Sequence, residues 1–151
     1  MEELKVSDSI LSATEDGVLK FDTVSSLSIV KLAEQSFFVV LVTADNKTLE
    51  LTPDHHLPVG ETCCATLMKA KDVALGQLVW TVSSSDYNGV ATPIVEIKSN
   101  YARGLHSPVL VHGGFPIVQG VVTSFDSIRM VKIASYFVPL WHKLCSWTGI
   151  C

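Results

Sequence analysis

The stretch that decides the fold of this 151-residue chain is LELTPDHHLPV, residues 49–59. Apolar and polar side chains alternate at its start, which is the pattern of a half-buried β-strand. The alternation then gives way to Thr52, Pro53 and, three residues after the threonine, His55. A hydroxyl and an imidazole held at a strand end can polarise a peptide bond and protonate its leaving nitrogen. The alternative interpretation is a plain turn that begins at Thr52 and Pro53, with His55 and His56 as ordinary polar residues beside it.

The segments before this stretch predict that a hairpin delivers it. Residues 37–43 form a nearly continuous apolar run, the turn residues 45–47 follow, and alternation resumes at Thr48. That order is typical of two antiparallel strands joined by a short turn. Similar strand-length runs rich in Val, Ile, Leu, Phe and Thr recur along the chain between turn signals. The sequence therefore predicts an all-β fold.

A weak internal repeat runs through the chain. Residues 6–13 parallel residues 75–82, and each segment is followed by a turn and a second apolar strand, around Val24 and around residues 94–97. Two copies of one β-unit predict a pseudo-two-fold domain. Chance similarity between hydrophobic strands is the other interpretation, because β-strand composition alone produces such matches.

Composition excludes several classes of protein. With 48% hydrophobic and 17% charged residues, the chain can bury a substantial core, and we expect one β-domain over residues 1–126. The net charge of −4 and the scattered basic residues argue against a nucleic-acid partner. Residues 1–5 are acidic and no apolar run follows, so no secretory signal is predicted. Either the protein is intracellular or its true start lies upstream.

The cysteines do not form a spaced disulfide framework, since one pair is adjacent and the other lies at the end of the chain. They are Cys63, Cys64, Cys145 and Cys151. The first pair, taken with His55 and His56, supplies zinc-ligand types, but the spacing fits no common zinc pattern. Buried, inert thiols are favoured over a zinc site or a cysteine hydrolase, because nothing marks a lowered thiol pKa. We therefore predict no metal and no cofactor, and the disulfide state stays open.

The C-terminal segment, residues 127–151, differs in character from the rest. Apolar residues recur there every three or four positions, which predicts an amphipathic helix interrupted at Pro139. Interspersed cations, Arg129, Lys132, His142 and Lys143, argue against a transmembrane span. A helix lying in a membrane interface and a helix packed on the β-domain both fit this pattern.

Four short motifs in this order resemble the Hint module, the autoprocessing domain of inteins and of the C-terminal (Hog) part of hedgehog proteins. Residues 6–11 (VSDSIL) resemble its early G-D-x-V-L segment, residues 51–55 (LTPDH) its T-x-x-H motif, residues 74–80 (ALGQLVW) its second x-G-x-x-V segment, and residues 101–108 with 120–124 its closing block. The resemblance spans about residues 4–126. It implies a pseudo-two-fold Hint fold, which accounts for the internal repeat.

The resemblance also implies an acyl-transfer chemistry. In the family, a cysteine at the first position of the module attacks the preceding carbonyl to give a thioester, and a second nucleophile then releases the upstream protein. On this sequence Thr52 would hydrogen-bond near the scissile amide and His55 would protonate the departing nitrogen. His56 would be a bystander. The implied partner is an upstream segment that carries the nucleophilic cysteine.

A hedgehog-like parent protein would carry two further implications. The tail would contact a lipid or sterol through Phe137, Trp141 and Trp147, and the full-length protein would be secretory or extracellular. Packing of the tail onto the domain remains the alternative to the lipid contact.

This sequence departs from the family at three places. The family's nucleophilic cysteine and first strand precede the matched region, so no residue here matches the nucleophile. Phe125 follows Ser124 where hedgehog proteins carry a cysteine, and the carboxylate that activates sterol would fall near Ser28 or Ile29. Thioester hydrolysis or intein-like chemistry therefore fits better than sterol transfer. A noncatalytic interaction or lipid-binding module is the alternative function, and the second nucleophile is not identified by the sequence.

Overall fold

The computed structural model describes residues 4–83 and 88–124, without the side chains of residues 28–34 and 104–107. Within this part of the chain there are nine strands: β1 Ser9–Ala13, β2 Leu19–Thr43, β3 Thr48–Leu51, β4 His56–Val59, β5 Thr66–Lys69, β6 Leu78–Val82, β7 Gly89–Leu110, β8 Phe115–Val118 and β9 Val121–Val122. One turn of 3-10 helix, Ala70–Asp72, follows β5. The all-β prediction is confirmed. The predicted helical tail, 127–151, and its boundary with the β-domain lie outside the described residues.

All nine strands join one antiparallel sheet. Its order is β3-β2-β1-β8-β9-β6-β4-β5, and β7 pairs with both β2 and β6. The long strands β2 and β7 run side by side from the Val24–Leu110 pair to the Thr43–Ile94 pair, with irregularities along the way. Because β7 pairs with β2 in one half of this order and with β6 in the other, it connects the two halves of the sheet. Within the described residues, no helix is long and apolar enough to cross a membrane.

The internal repeat corresponds to two equivalent hairpins. The short strand β1 pairs antiparallel with the start of the long strand β2, and the short strand β6 pairs antiparallel with the start of the long strand β7. The two long strands then pair with each other. This arrangement is the pseudo-two-fold construction that the repeat predicts.

The hairpin predicted before the site is formed by β2 and β3. Val42 pairs with Thr48 and Val39 with Leu51, and the turn between them passes through Asn46 at a φ of 60°. Asparagine tolerates this left-handed conformation better than most residues, which explains its place in the turn. Side chains of β3 alternate between exposed and buried as the sequence pattern requires.

Buried apolar side chains form two clusters. The first core cluster contains Val39, Leu41, Leu49, Leu51, Leu57, Val59, Ala70, Val73, Val79, Ile94 and Val121. The second core cluster contains Ala13, Val24, Cys63, Cys64, Val82, Leu110, Phe115 and Val122. Each fully buried leucine or valine contributes about 1.5–3 kcal/mol relative to an exposed one. The β3–β4 segment that carries the T-x-x-H motif is anchored at both ends in the first cluster, by Leu51 and Leu57.

A buried carboxylate fixes the turn between β7 and β8. The side chain of Asp22 on β2 is fully buried and accepts hydrogen bonds from the backbone N–H of Thr23, at 2.7 Å, and from the backbone N–H of His112, at 3.3 Å. Nδ1 of His112 lies 2.8 Å from the same carboxylate, while 64% of the His112 side chain is exposed. Buried carboxylates need such partners, so Asp22 ties this turn to β2.

Candidate active site

The T-x-x-H motif forms a tight turn between β3 and β4. The backbone N–H of His55 donates to the carbonyl of Thr52 at 3.0 Å, which closes the turn one residue before β4 begins. The segment after β5 supports it from behind, since Ala70 N–H donates to the His55 carbonyl at 2.8 Å and Lys71 N–H to the Pro53 carbonyl at 3.0 Å. The turn is therefore held by backbone bonds at three of its carbonyls. The alternative prediction of a plain turn at Thr52 and Pro53 is correct for the local backbone. The same turn also positions the imidazole of His55.

The imidazole of His55 reaches a segment that is distant in sequence. Its Nε2 lies 2.7 Å from the carbonyl oxygen of Ser124, 69 residues further along the chain. Because a carbonyl oxygen can only accept, Nε2 must carry the proton of this hydrogen bond. The side chain is half-buried. His55 thus presents a positioned N–H at the junction of the β3–β4 turn and the end of β9.

Ser124 is the site residue that sequence reasoning missed. It is 2% exposed, and both its backbone N–H, at 3.2 Å, and its hydroxyl, at 2.8 Å, donate to the carbonyl of His56. Three hydrogen bonds therefore join Ser124 to the His55–His56 pair. The polar pair Thr123–Ser124 that follows the apolar strand β9 is the signal that could have singled it out.

Thr52 occupies the predicted position, but its described contact to His55 is made by its backbone. The side chain is half-buried at the end of β3, and its carbonyl accepts the His55 N–H. The turn therefore keeps the hydroxyl and the imidazole on one short segment. The role of the hydroxyl toward a scissile amide remains a prediction.

Charges beside the turn centre on Asp54. One of its carboxylate oxygens lies 2.8 Å from Nζ of Lys71 and 3.0 Å from Nζ of Lys69. Hydrogen bonds from Lys71 and then Lys69, together with their positive charges, lower the pKa of the Asp54 carboxyl to about 2. The hydrogen bond to Asp54 also raises the pKa of Lys71. The turn thus carries one carboxylate and two ammonium groups on its exposed side.

His56, predicted to be a bystander, is the buried member of the histidine pair. Its side chain is 6% exposed, and Nδ1 has no hydrogen-bond partner in the described structure. Its carbonyl is the acceptor for Ser124. The residue therefore holds the segment after β9 through its backbone, and its ring is buried with one nitrogen unpaired.

Cys63 and Cys64 are buried as predicted, but they are not thiols, because their sulfurs are paired with each other as a vicinal disulfide. No free cysteine occurs in residues 4–83 and 88–124. The pair lies in the second core cluster, where Cys63 packs against Gly17, and a Cβ at Gly17 would come within 2.8 Å of the Cys63 Cβ. The prediction of buried thiols is wrong in this respect, because two adjacent cysteines can pair without the spaced disulfide framework that the sequence lacks. The same described region contains no group of three His, Cys, Asp or Glu side chains able to hold a metal ion.

Comparison with known proteins places this chain in one family. The model of the Hint module matches residues 1–150, so the chain belongs to the Hint module family. Among curated proteins it is 31% identical over 140 residues to the protein qua-1 of Caenorhabditis elegans, an alignment that covers 82% of this chain and 12% of qua-1. This chain therefore spans about an eighth of that relative.

Solved inteins share the fold. The DnaB intein from Synechocystis sp. PCC 6803 superposes with a TM-score of 0.65 at 14% identity, covering 80% of each chain. The PabCDC21-1 intein superposes with a TM-score of 0.64 at 15% identity, covering 78% of this chain and 69% of the intein. These similarities show the fold, and with the family match they identify a Hint module with an intein-like fold.

Proposed function

We propose that this chain is the acyl-transfer domain of a self-cleaving protein, in which Thr52 and His55 act on a peptide bond supplied by an upstream segment. The observation that carries the proposal is the imidazole of His55, held 2.7 Å from the Ser124 carbonyl at the end of the T-x-x-H turn. Membership of the Hint family and the intein-like fold support it. The link to hedgehog proteins in particular rests on the partial match to qua-1.

The reaction divides one difficult step into two easier ones. A cysteine thiolate of the upstream segment attacks the carbonyl carbon of the residue before it, so a C–S bond forms and the C–N bond breaks. The departing nitrogen takes a proton from His55 and becomes the free amine of the cysteine. Thr52 donates a hydrogen bond near the scissile amide and orients it.

The thioester is then broken by a second nucleophile. With water, the C–S bond is cleaved and the upstream protein leaves as a carboxylic acid while the thiol regains its proton. Water or an intein-like side chain fits better than sterol, because this sequence has Phe125 after Ser124 and no carboxylate near Ser28 or Ile29. We propose a lipid contact of residues 127–151 only if the full-length protein is hedgehog-like.

The test supplies the missing nucleophile. A cysteine-led segment from a related Hint module is fused between a reporter protein and this chain, and release of the reporter is followed by mass spectrometry with and without dithiothreitol. We expect thiol-dependent release that is lost in His55→Ala and in a fusion whose added cysteine is replaced by serine. A folded fusion that never releases the reporter would refute the acyl-transfer role.

Dithiothreitol also reduces a disulfide, so the experiment needs a further control. The Cys63→Ser, Cys64→Ser variant removes the vicinal pair, and release from this variant should keep the same thiol dependence. A loss of that dependence would mean that reduction of the pair, and not thiolysis of a thioester, controls release.

A noncatalytic interaction or lipid-binding module is the second candidate. It is favoured by the pairing of Cys63 with Cys64, which leaves residues 4–83 and 88–124 without a free thiol to act as nucleophile. Under this proposal the fusion stays intact, and the full chain binds vesicles of anionic phospholipid in a flotation assay. Absence of vesicle binding together with reporter release would eliminate it.

A further inference from the structure

Burial of the His56 side chain costs stability, and the predicted role of His56 as a bystander does not explain this cost. Its ring is 6% exposed, and among the described residues its Nδ1 is a buried side-chain atom without a hydrogen-bond partner. A buried polar atom left unpaired loses its hydration without compensation. An apolar residue at this position would avoid the loss, because it has no polar atom to leave unpaired.

The position of the His56 ring suggests which segment supplies a hydrogen-bond partner for its Nδ1. Alternation along β4 puts His56 on the face opposite Leu57 and on the same face as Pro58. Leu67, the partner of Pro58 across the ladder, packs on the second core cluster, and so does Leu4, the first described residue of the chain. A segment joined to the N-terminus therefore starts from the same cluster that this face of β4 covers.

The backbone of His56 lies at the centre of the candidate active site. Its carbonyl accepts both hydrogen bonds from Ser124, and the neighbouring His55 donates to the Ser124 carbonyl. A polypeptide whose scissile bond reaches His55 must pass within one residue of His56. Because Nδ1 is enclosed by the chain itself, a partner from that polypeptide reaches it only if docking over β4 displaces the enclosing side chains.

We propose that His56 is a positioning residue for the upstream segment, and that its Nδ1 forms a hydrogen bond with a backbone amide of that segment. The inference rests on the proposed function for the identity of the segment. The unpaired Nδ1 then becomes a binding contact when the segment docks. Without the segment, the unpaired nitrogen makes the chain less stable. This trade of stability for a functional contact is common at binding sites.

The free chain gives the first test. Thermal unfolding of the full chain is compared with that of His56→Leu, which keeps the volume of the ring and removes the unpaired nitrogen. We expect a higher midpoint for His56→Leu. A clearly lower midpoint would overturn the inference, because it would mean that the ring already has a stabilising partner, such as a buried water molecule.

Binding of the segment gives the second test. A synthetic cysteine-led peptide from a related Hint module, with serine in place of cysteine to prevent reaction, is titrated into the full chain with 15N-labelled histidine. We expect the imidazole nitrogens of His56 to shift and His56→Leu to bind about tenfold more weakly, the loss expected from one hydrogen bond. His112→Gln, which changes an exposed histidine and can still donate to Asp22, should bind as tightly as the wild type.

The outcomes separate this inference from the proposed function. Peptide binding that depends on His56, combined with a fusion that never releases its reporter, would support the inference and refute the acyl-transfer role. Reporter release with equal peptide affinity in wild type and His56→Leu would support the role and overturn the inference. Absence of any peptide binding by the wild type would also overturn it.

Discussion

Two histidines of this chain each join a turn to a segment that is remote in sequence, and the comparison between them separates the proposed reactive site from a structural contact. His55 donates from Nε2 to the carbonyl of Ser124, 69 residues away. His112 contacts the carboxylate of Asp22, 90 residues away, through Nδ1. The ring of His55 is half-buried and contacts a neutral backbone carbonyl. The ring of His112 is mostly exposed and contacts a fully buried carboxylate.

The acceptor decides what each imidazole can do. A backbone carbonyl fixes the ring of His55 through Nε2, so in the proposed function the proton transferred to a leaving group comes from the other ring nitrogen, Nδ1. The carboxylate of Asp22 is satisfied only while its donors stay in place. The His55 contact is therefore expected to control chemistry, and the Asp22 contact to control stability.

The largest expected effect is on reporter release. In the cysteine-led fusion, His55→Ala should slow release by about 10²–10⁴-fold, the usual contribution of a positioned general acid. The unfolding midpoint should change little, because the ring is half-buried and makes its bond to a backbone group. Release is followed by mass spectrometry, and His112→Gln serves as the matched histidine control. Equal losses in both variants would abolish the distinction between the two sites.

The next effect is on folding. Asp22→Ala should lower the free energy of unfolding by roughly 1–3 kcal/mol, because it removes the acceptor of three N–H groups and empties a buried position. Urea unfolding measures the change. Release by the fusion, assayed well below the midpoint, should stay within a few-fold of wild type. An unchanged stability would show that the Asp22–His112 contact is dispensable.

A smaller effect is expected at the residue that holds His55 in place. Ser124→Ala removes the hydroxyl bond to the His56 carbonyl and should cost about 1 kcal/mol of unfolding free energy. It should also loosen the carbonyl that positions His55, so reporter release should fall more than stability alone explains. Histidine 15N spectra would detect the altered Nε2 environment. A stability loss with unchanged spectra and release would assign Ser124 a packing role only.

The smallest effect concerns the exposed charges beside the turn. The pKa of Asp54 is lowered to about 2, below its ordinary value near 4, so its contribution to stability is present above about pH 4 and is lost as the pH falls toward 2. Urea unfolding between pH 5 and pH 2 should therefore show a shallower decline for Asp54→Asn than for wild type. High salt should reduce the difference, because the carboxylate is exposed. Identical pH profiles at low salt would exclude the ion pairs as a support of the turn.

Much of the fold could be predicted because its signals are local. The alternation of β3 and the turn before it depend on neighbouring residues, and the repeat revealed the two equivalent hairpins before any pairing was known. The T-x-x-H motif likewise lies within four consecutive residues. These features follow from strand periodicity and turn chemistry, which act over a few positions.

The missed features all depend on partners that are distant in sequence or on the protein interior. No local pattern pairs Asp22 with His112, or Ser124 with the carbonyl of His56. The burial of His56 is equally hidden, because a histidine after a histidine reads as a polar turn until the packing of β4 is known. The pairing of Cys63 with Cys64 was open for a different reason, since the spacing rules for disulfides do not cover adjacent residues.

The contact between His55 and Ser124 also determines when, during synthesis of the chain, the candidate active site can form. During synthesis from the N-terminus, β2 cannot pair with the far end of β7 until residue 110 is available, and the contact of His55 with Ser124 cannot form until residue 124 follows. Sheets built from such distant pairings fold slowly, over roughly milliseconds to seconds. The T-x-x-H turn can form early, but the assembled site appears only when nearly the whole β-domain has been translated. Under the proposed function, the topology therefore delays self-cleavage until the β-domain is complete.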